Sequence, residues 1–317
     1  MRRLIAFLLA VFLLVAICSC ELSYKAPEIG TMRILVFGND YAYGNAVYYL
    51  NGEQFTINGT PATANRLYKT VNDAQQVGMA LSALAEKAGL EHQAVALTSY
   101  PDVTETRLVA ELEALAALTS ENDITIIYYS GHGFGVKTKL PYGYDTSTCS
   151  YIVPRFSSNP NSSVLFPVSR FLELVEAIKG VKVVLGDFCY SGSLVQSNNF
   201  SVTFGEYSQM DPVYLFARYR DDVYGNPSLF CLSAARYNEL SYEFSQETEP
   251  DHGKFTNALL EALGWDEDNQ CLKTAAAEKD NRITLSAIAE YVVSHDEESK
   301  QTPMVSGGSN DIVLFSF

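Results

Sequence analysis

The chain has little that a zinc ion or a nucleic acid could hold. Its 317 residues include four histidines, one tryptophan and six cysteines, and 22 Lys and Arg stand against 37 Asp and Glu, a formal net charge of −15. An acid surplus of that size argues against nucleic acid or an anionic membrane surface as the main partner, because both carry the same sign of charge. There is no CxxC pair and no HExxH, so the spacings that build a zinc site are missing. There is no internal repeat and no linker-like stretch beyond the N-terminal region. With 47% hydrophobic residues, the remainder reads as one large unit with ample core.

The first residues stand apart. Arg2 and Arg3 precede an apolar run, Leu4 to Ile17, which is too short for a comfortable membrane span and has the layout of an export signal. It ends Ile17-Cys18-Ser19-Cys20, with a small residue before the second cysteine, and resembles a bacterial lipobox. On that reading residues 1–19 are a lipoprotein signal peptide, Cys20 is the lipidated first residue, 20–31 is a polar tether and 32–317 is the folded domain. Several acyl chains on Cys20 would hold an exported protein on a membrane, as one chain binds only marginally. An ordinary signal peptide cleaved nearby is the alternative. Cys149, Cys189, Cys231 and Cys271 remain; four scattered cysteines in a domain of this size do not form a disulfide framework.

Within the domain, apolar runs alternate with helical periods. Arg33–Gly38, His92–Leu97, Ile124–Tyr129, Val181–Phe188, Ser228–Ser233 and Ile312–Phe315 read as strands. Helices are expected over Asn72–Ala88, Glu105–Leu118 with Thr104 as N-cap, from Pro167 to a stop at Gly180, Phe255–Leu263, and Leu285–Val293 with Thr284 as N-cap. Asn51-Gly52 marks a hairpin. Five alternations of strand and helix indicate an α/β fold with a mostly parallel sheet and helices on both faces. Ser193 to Asn226 is a long aromatic-rich stretch with no period; such a loop is usually functional or mobile.

Two of the apolar strands end in chemistry. Ile124 to Tyr129 runs into Ser130-Gly131-His132-Gly133, and Val181 to Phe188 delivers Cys189. Strands without polar alternation are buried on both faces, and open α/β sheets place their ligand sites at the carboxyl ends of such strands. An imidazole beside a thiol can favour the thiolate and later protonate a leaving amine. The backbone N–H groups of Gly133 and Cys189 are placed to hold an oxyanion. Asp187, two residues before the cysteine, would be a half-buried negative charge that needs a cationic partner. Each feature also has a plainer explanation: Cys189 an inert buried thiol, His132 a satisfied structural histidine, Asp187 a bond to turn amides, Asp73 an N-cap of the first helix. Arg218 and Arg220 are either solvated loop charges or self-cleavage sites. His92, His252 and His295 have no supporting context, and Trp265 reads as packing.

These motifs resemble those of the caspase-like cysteine peptidases, metacaspases, paracaspases and their bacterial relatives in particular. Tyr129-Ser130-Gly131-His132-Gly133 matches the histidine motif, and Asp187-Phe188-Cys189-Tyr190-Ser191-Gly192 matches a cysteine motif usually written Asp-Cys-Cys-His-Ser-Gly, departing at Phe188 and Tyr190. Val71-Asn72-Asp73-Ala74, Gly253-Lys254-Phe255-Thr256 and Gln301-Thr302-Pro303 resemble weaker landmarks. The resemblance covers about Arg33 to the C-terminus. It implies a three-layer αβα caspase-like sandwich around a six-stranded, mostly parallel sheet. It further implies a cysteine endopeptidase with Cys189 as nucleophile and His132 as base, acting on protein or peptide substrates as a monomer. Asp187, Asp73 and Ser130 would line a pocket for Arg or Lys. Many metacaspases need calcium; here the equivalent positions offer only Asp145 and Gln196, so no metal and no cofactor is expected. The competing expectation is a catalytically silent caspase-like module used for binding.

Overall fold

The computed structural model describes residues 30–41, 46–57, 59–139, 145–195, 229–244, 250–295, 301–305 and 312–317. Six strands make the central sheet: β1 (Met32–Gly38), β2 (His92–Leu97), β3 (Ile124–Ser130), β4 (Val181–Asp187), β5 (Leu229–Ser233) and β6 (Met304–Val305), in the spatial order β6-β5-β4-β3-β1-β2. All neighbours are parallel except β5 and β6. Among the described residues the helices are α1 (Thr70–Lys87), α2 (Glu105–Leu118), α3 (Val168–Glu176), α4 (Lys254–Leu263) and α5 (Leu285–Ser294). None of them is long and apolar enough to cross a membrane.

The two faces of the sheet follow from strand alternation. Ile34 and Val36 of β1, Ile126 and Tyr128 of β3, and Val183 and Leu185 of β4 point to one side, against Val77, Leu81 and Leu84 of α1, Phe255 and Leu259 of α4 and Ile288 of α5. Leu35 and Phe37, Ile127 and Tyr129, and Val184 point to the other, against Leu108 and Leu112 of α2 and Phe171, Leu172 and Val175 of α3. That double burial is why these strands read as unbroken apolar runs. Continuing the same alternation, Ser130 at the end of β3 and Asp187 at the end of β4 face the α1 and α4 layer. The sheet therefore aims two polar side chains at the N-terminal turns of those two helices.

Several sequence expectations shift in detail. Helix α1 starts at Thr70, with Lys69 as N-cap and no capping hydrogen bond from its side chain, so Asp73 lies in the first turn and is not the N-cap. Helix α3 ends at Glu176, before Gly180. Gly180 (φ +72°) instead lets the chain lie directly on the backbone of Ser120 and Asp123, where a Cβ would collide. The strand Val313–Ser316 forms outside the central sheet, paired with Arg282–Thr284. The sixth place in the sheet goes to Met304–Val305, too short to show a period. The Asn51-Gly52 hairpin forms as expected, pairing Tyr49 with Gln54. The expected signal peptide, Cys18, Cys20 and most of the tether fall in residues 1–29, and nearly all of the aromatic-rich stretch, with Gln196, Arg218 and Arg220, falls in 196–228; both lie outside the described residues. So do the side chains of Asp145 and Cys149.

Candidate active site

The register of the sheet sets the site. Asp187 pairs with Ser130 across β4 and β3, and the Gly131 N–H donates to the Asp187 carbonyl at 3.3 Å. His132 and Cys189 thus leave adjacent strands two residues beyond a matched pair, at the same height. Gly133 then packs onto the Cys189 turn: a Cβ there would strike the Cys189 carbonyl and approach the Phe188 ring to 2.7 Å. Only glycine fits, which gives the second glycine of Ser-Gly-His-Gly a physical cause. Gly133→Ala is expected to push the chain off Cys189, at a cost of about 1–3 kcal/mol in stability and a loss of peptide hydrolysis well beyond that expected from stability alone. Thermal melts and kcat/KM measured on one preparation check this.

The His132 ring is oriented by its surroundings. Its Nε2 lies 2.7 Å from the backbone carbonyl of Asn65. A carbonyl only accepts, so Nε2 carries the proton and Nδ1 keeps a lone pair; among the described residues Nδ1 has no hydrogen-bond partner. The ring packs on Tyr41, with centroids 4.5 Å apart. Two buried tyrosines pin the backbone: the His132 N–H donates to the Tyr41 hydroxyl at 2.9 Å, which donates to the Val153 carbonyl at 2.7 Å, and the Tyr129 hydroxyl donates to the His132 carbonyl at 3.3 Å. Burial lowers the His132 pKa, the Asn65 carbonyl opposes that in part, and the positive charge of Arg155 adds to the lowering. At neutral pH the imidazole is neutral and able to take a proton.

The Cys189 thiol points its hydrogen at the Ser241 carbonyl, 3.7 Å away, and not at the ring. Burial pushes its pKa up, the Ser241 backbone pulls it back, the negative charge of Asp187 raises it, and the amides of Cys189 itself and of Gly133 favour the thiolate. At neutral pH Cys189 is therefore a thiol and His132 a neutral imidazole. Alkylation of Cys189 by iodoacetamide is expected to accelerate with pH through an apparent pKa above that of an ordinary cysteine; a plateau already reached at pH 7 would contradict this. The following residue, Tyr190, sits at φ +64°, a left-handed conformation that costs a bulky residue about 1–3 kcal/mol. It is held there by a 2.7 Å bond from its N–H to the Glu239 carbonyl.

Beside the thiol lies a buried acidic floor. Asp187 accepts from the Ser241 hydroxyl and the Thr256 hydroxyl, each at 2.6 Å. Asp73, 1% exposed, accepts from the Ser130 hydroxyl at 3.0 Å, the Gly253 N–H at 3.1 Å and, at 2.9 Å, Nδ1 of His252. The two carboxylates flank Gly253, where a Cβ would strike Asp187 and come within 3.4 Å of Asp73. Burial pushes Asp187 up against the pull of the Ser241 and Thr256 hydroxyls. Burial likewise pushes Asp73 up to about 7, opposed by its bond from His252 and reinforced by Asp187.

The structure thus draws Asp187, Asp73 and Ser130 into one cluster, next to the strand ends that carry Cys189 and His132. It also recruits residues that sequence reasoning missed. Asn65 acts through its backbone carbonyl, which has no sequence signature. Ser241 lies in an irregular segment, and Glu267 just after the short Trp265–Asp266 strand. Thr256 belongs to the Gly253-Lys254-Phe255-Thr256 landmark, and its place in the first turn of a helix is the available signal. His252 precedes that landmark directly. Trp265 does more than pack, since its indole N–H donates to Gln76 at 2.8 Å. Among the described residues no group of three or more His, Cys, Asp or Glu is arranged to hold a metal ion.

A six-stranded, mostly parallel sheet between helical layers, with a histidine and a cysteine at neighbouring strand ends over buried acids, defines a caspase-like α/β domain. The sequence matches the caspase domain model over residues 44–311, and the chain belongs to that family, whose members are cysteine peptidases acting on proteins. Among solved structures, caspase-1 from Spodoptera frugiperda aligns over 92% of this chain and 94% of its own, with 11% identity and a TM-score of 0.50. Protein GSU0716 from Geobacter sulfurreducens aligns over 88% and 95%, with 16% identity and a TM-score of 0.48. At such identities the likeness concerns the fold alone. None of the curated proteins matches the sequence.

Proposed function

We propose that this chain is a cysteine endopeptidase of metacaspase type that cleaves after Arg or Lys. The observation that carries the reading is the pair of buried carboxylates, Asp187 and Asp73, held by hydroxyl and amide donors beside the Cys189 turn. A burial cost of that size is sustained where a cation comes to meet it.

In the mechanism, the basic side chain enters the acidic floor and sets the scissile carbonyl over Cys189. His132 Nδ1 takes the thiol proton as sulfur bonds to the carbonyl carbon. The oxyanion so formed lies against the N–H groups of Gly133 and Cys189; losing one such donor typically costs on the order of 10²–10³ in rate. The C–N bond breaks as His132 returns the proton to the leaving amine, leaving a thioester. Water, deprotonated by the same imidazole, then releases the acid and regenerates the thiol. The Asn65 carbonyl holds the Nε2 proton throughout, so that Nδ1 alone exchanges protons. No metal and no cofactor takes part, and the chain acts as a monomer.

Residues 1–19 are a signal peptide in this proposal and Cys20 carries the lipid, so that the domain works outside the cytoplasm on a membrane tether. The orientation of the thiol toward Ser241 favours a second reading, a catalytically silent caspase-like binding module. Hydrolysis of fluorogenic peptides ending in Arg, Lys or Asp separates the two. Turnover of the basic substrates supports the peptidase, preference for Asp removes the acidic-pocket argument, and no turnover of any of them favours the silent module.

A further inference from the structure

His252 is 3% exposed, and each of its ring nitrogens faces a carboxylate. Nδ1 lies 2.9 Å from Asp73 Oδ1, and Nε2 lies 2.8 Å from Glu267 Oε2. A neutral imidazole has one N–H and one lone pair, so it satisfies only one carboxylate; an imidazolium satisfies both.

The neighbouring groups constrain where the protons sit. The Trp265 indole N–H only donates, and it donates to Gln76 Oε1. The Gln76 amide nitrogen is thereby directed at Asn72 Oδ1, 3.2 Å away. Asn72 Nδ2 in turn donates to the other oxygen of Glu267 at 2.8 Å. On the inner side, the other partners of Asp73 are the Gly253 N–H and the Ser130 hydroxyl, both able to donate. Adjacent Asn72 and Asp73, on the first turn of α1, thus grip the two ends of a row that runs Glu267–His252–Asp73. The Glu267 side chain is 37% exposed while that of Asp73 is 1% exposed, so the row leads from solvent to the floor of the pocket.

Two like charges in one buried site do not both persist without a counter-cation. The charged groups facing His252 are Asp73 from α1, Glu267 from beyond α4 and Asp187 from the end of β4. On its own segment, Asp251 is bonded to Lys69 and the Lys254 ammonium lies 5.8 Å from the centre of the Phe244 ring. Among the described residues the ion pair of Asp73 is with His252.

We infer that His252 is the resident cation of the acidic floor: it keeps Asp73 ionised and aligned, and so determines how strongly the pocket takes a basic side chain. It is a specificity-determining residue, not a catalytic one. This rests on reading the pocket as a site for Arg or Lys. Each partner biases the other toward the ion pair: the two carboxylates raise the His252 pKa above the ordinary value against burial, and His252 pulls the Asp73 pKa down, although burial still leaves it raised to about 7.

The test has two arms. In the first, histidines labelled with ¹³C and ¹⁵N are observed by NMR in the full chain carrying Cys189→Ala, with His252→Gln supplying the assignment. Both His252 nitrogens are expected in the protonated range at pH 7; a neutral His252 ring overturns the proposal. In the second, His252→Gln is assayed on a peptide ending in Arg. Without the imidazolium, Asp73 loses the partner that holds its pKa down to about 7, and at pH 6.5 it loses most of the minor ionised fraction that the parent keeps. KM there is expected to rise by about tenfold over the parent, one pKa unit of lost ionisation, with kcat within about twofold, and to converge on the parent's as pH rises; the parent makes its own, earlier step near pH 7. A His252→Gln enzyme with the parent's KM at every pH overturns the proposal. If the variant does not fold, the NMR arm decides, read on the single Cys189→Ala chain with its four histidines assigned through their sequence neighbours. Methylguanidinium, titrated into the Cys189→Ala chain, separates this idea from the one beneath it: failure to bind sinks the basic-residue pocket, whatever the charge on His252.

Discussion

Replacing Cys189 by Ala is expected to lower hydrolysis of peptides ending in Arg or Lys by at least about 10³-fold, the scale on which loss of a nucleophile acts. In the proposed mechanism the Cys189 thiol is the nucleophile and the group from which His132 takes a proton in the first step. The proposed binding floor comprises Asp187, Asp73, Ser130 and Thr256, whose described hydrogen bonds do not involve the sulfur, so the affinity for an Arg aldehyde's non-covalent analogue, such as the corresponding amide, should stay within about threefold of the parent. Removing a half-buried sulfur whose hydrogen bond is a long 3.7 Å contact to Ser241 costs little stability. Equal rates for the two forms would remove Cys189 from the mechanism, and with it the peptidase reading. Loss of rate together with loss of the fold would show up as a lowered melting temperature in the same preparation.

The second large effect is expected from Asp187→Asn. The change keeps the shape and leaves an acceptor and a donor among rotatable hydroxyls, so Ser241 and Thr256 keep partners. It removes the charge. A substrate guanidinium would then be desolvated without its counter-ion, a loss of about 2–5 kcal/mol, and kcat/KM for Arg and Lys substrates should fall by roughly 10²–10³-fold, while reactivity of Cys189 toward iodoacetamide rises, because the carboxylate that opposes the thiolate is gone. Stability moves the other way. The pKa of Asp187 is raised by burial, so its contribution to stability is fully present below the unfolded carboxyl pKa and is lost as pH rises through the folded value. The Asn variant lacks that loss and should melt at the same temperature as the parent or above it at pH 8. A lower melting temperature at pH 8, or an unchanged preference for basic residues, would contradict the assignment of Asp187 as the charge that awaits the substrate.

Much of the architecture was legible because burial on two faces leaves a plain mark. Ile124 to Tyr129 and Val183 to Leu185 carry no polar alternation, and both are central strands. Thr104 and Thr284 cap α2 and α5 as read, each accepting the N–H three residues on. The Cys189 and His132 strand ends were legible for the same reason, since a glycine-bounded polar residue after an apolar strand marks where a chain leaves a sheet. What escaped notice has no local period. Met304–Val305 enters the sheet as a two-residue strand, and its place is set by β5 alone. Asn65 contributes a carbonyl, which every residue possesses. His252 stands in a turn, and its meaning comes from Asp73, 179 positions earlier, and from Glu267.

By itself the sequence determined that this chain makes a helix-covered, mostly parallel sheet and sends a thiol and an imidazole out of two of its strands, because hydrophobic period, caps and turn glycines act over a few residues at a time. Only the tertiary structure decided that those strands are neighbours in register, that a main-chain oxygen holds the imidazole, and that Asp73 and Asp187 share one floor with a histidine between solvent and the inner acid. Charge and proton position depend on what lies within a few ångströms through space, and no stretch of chain carries that information before it folds.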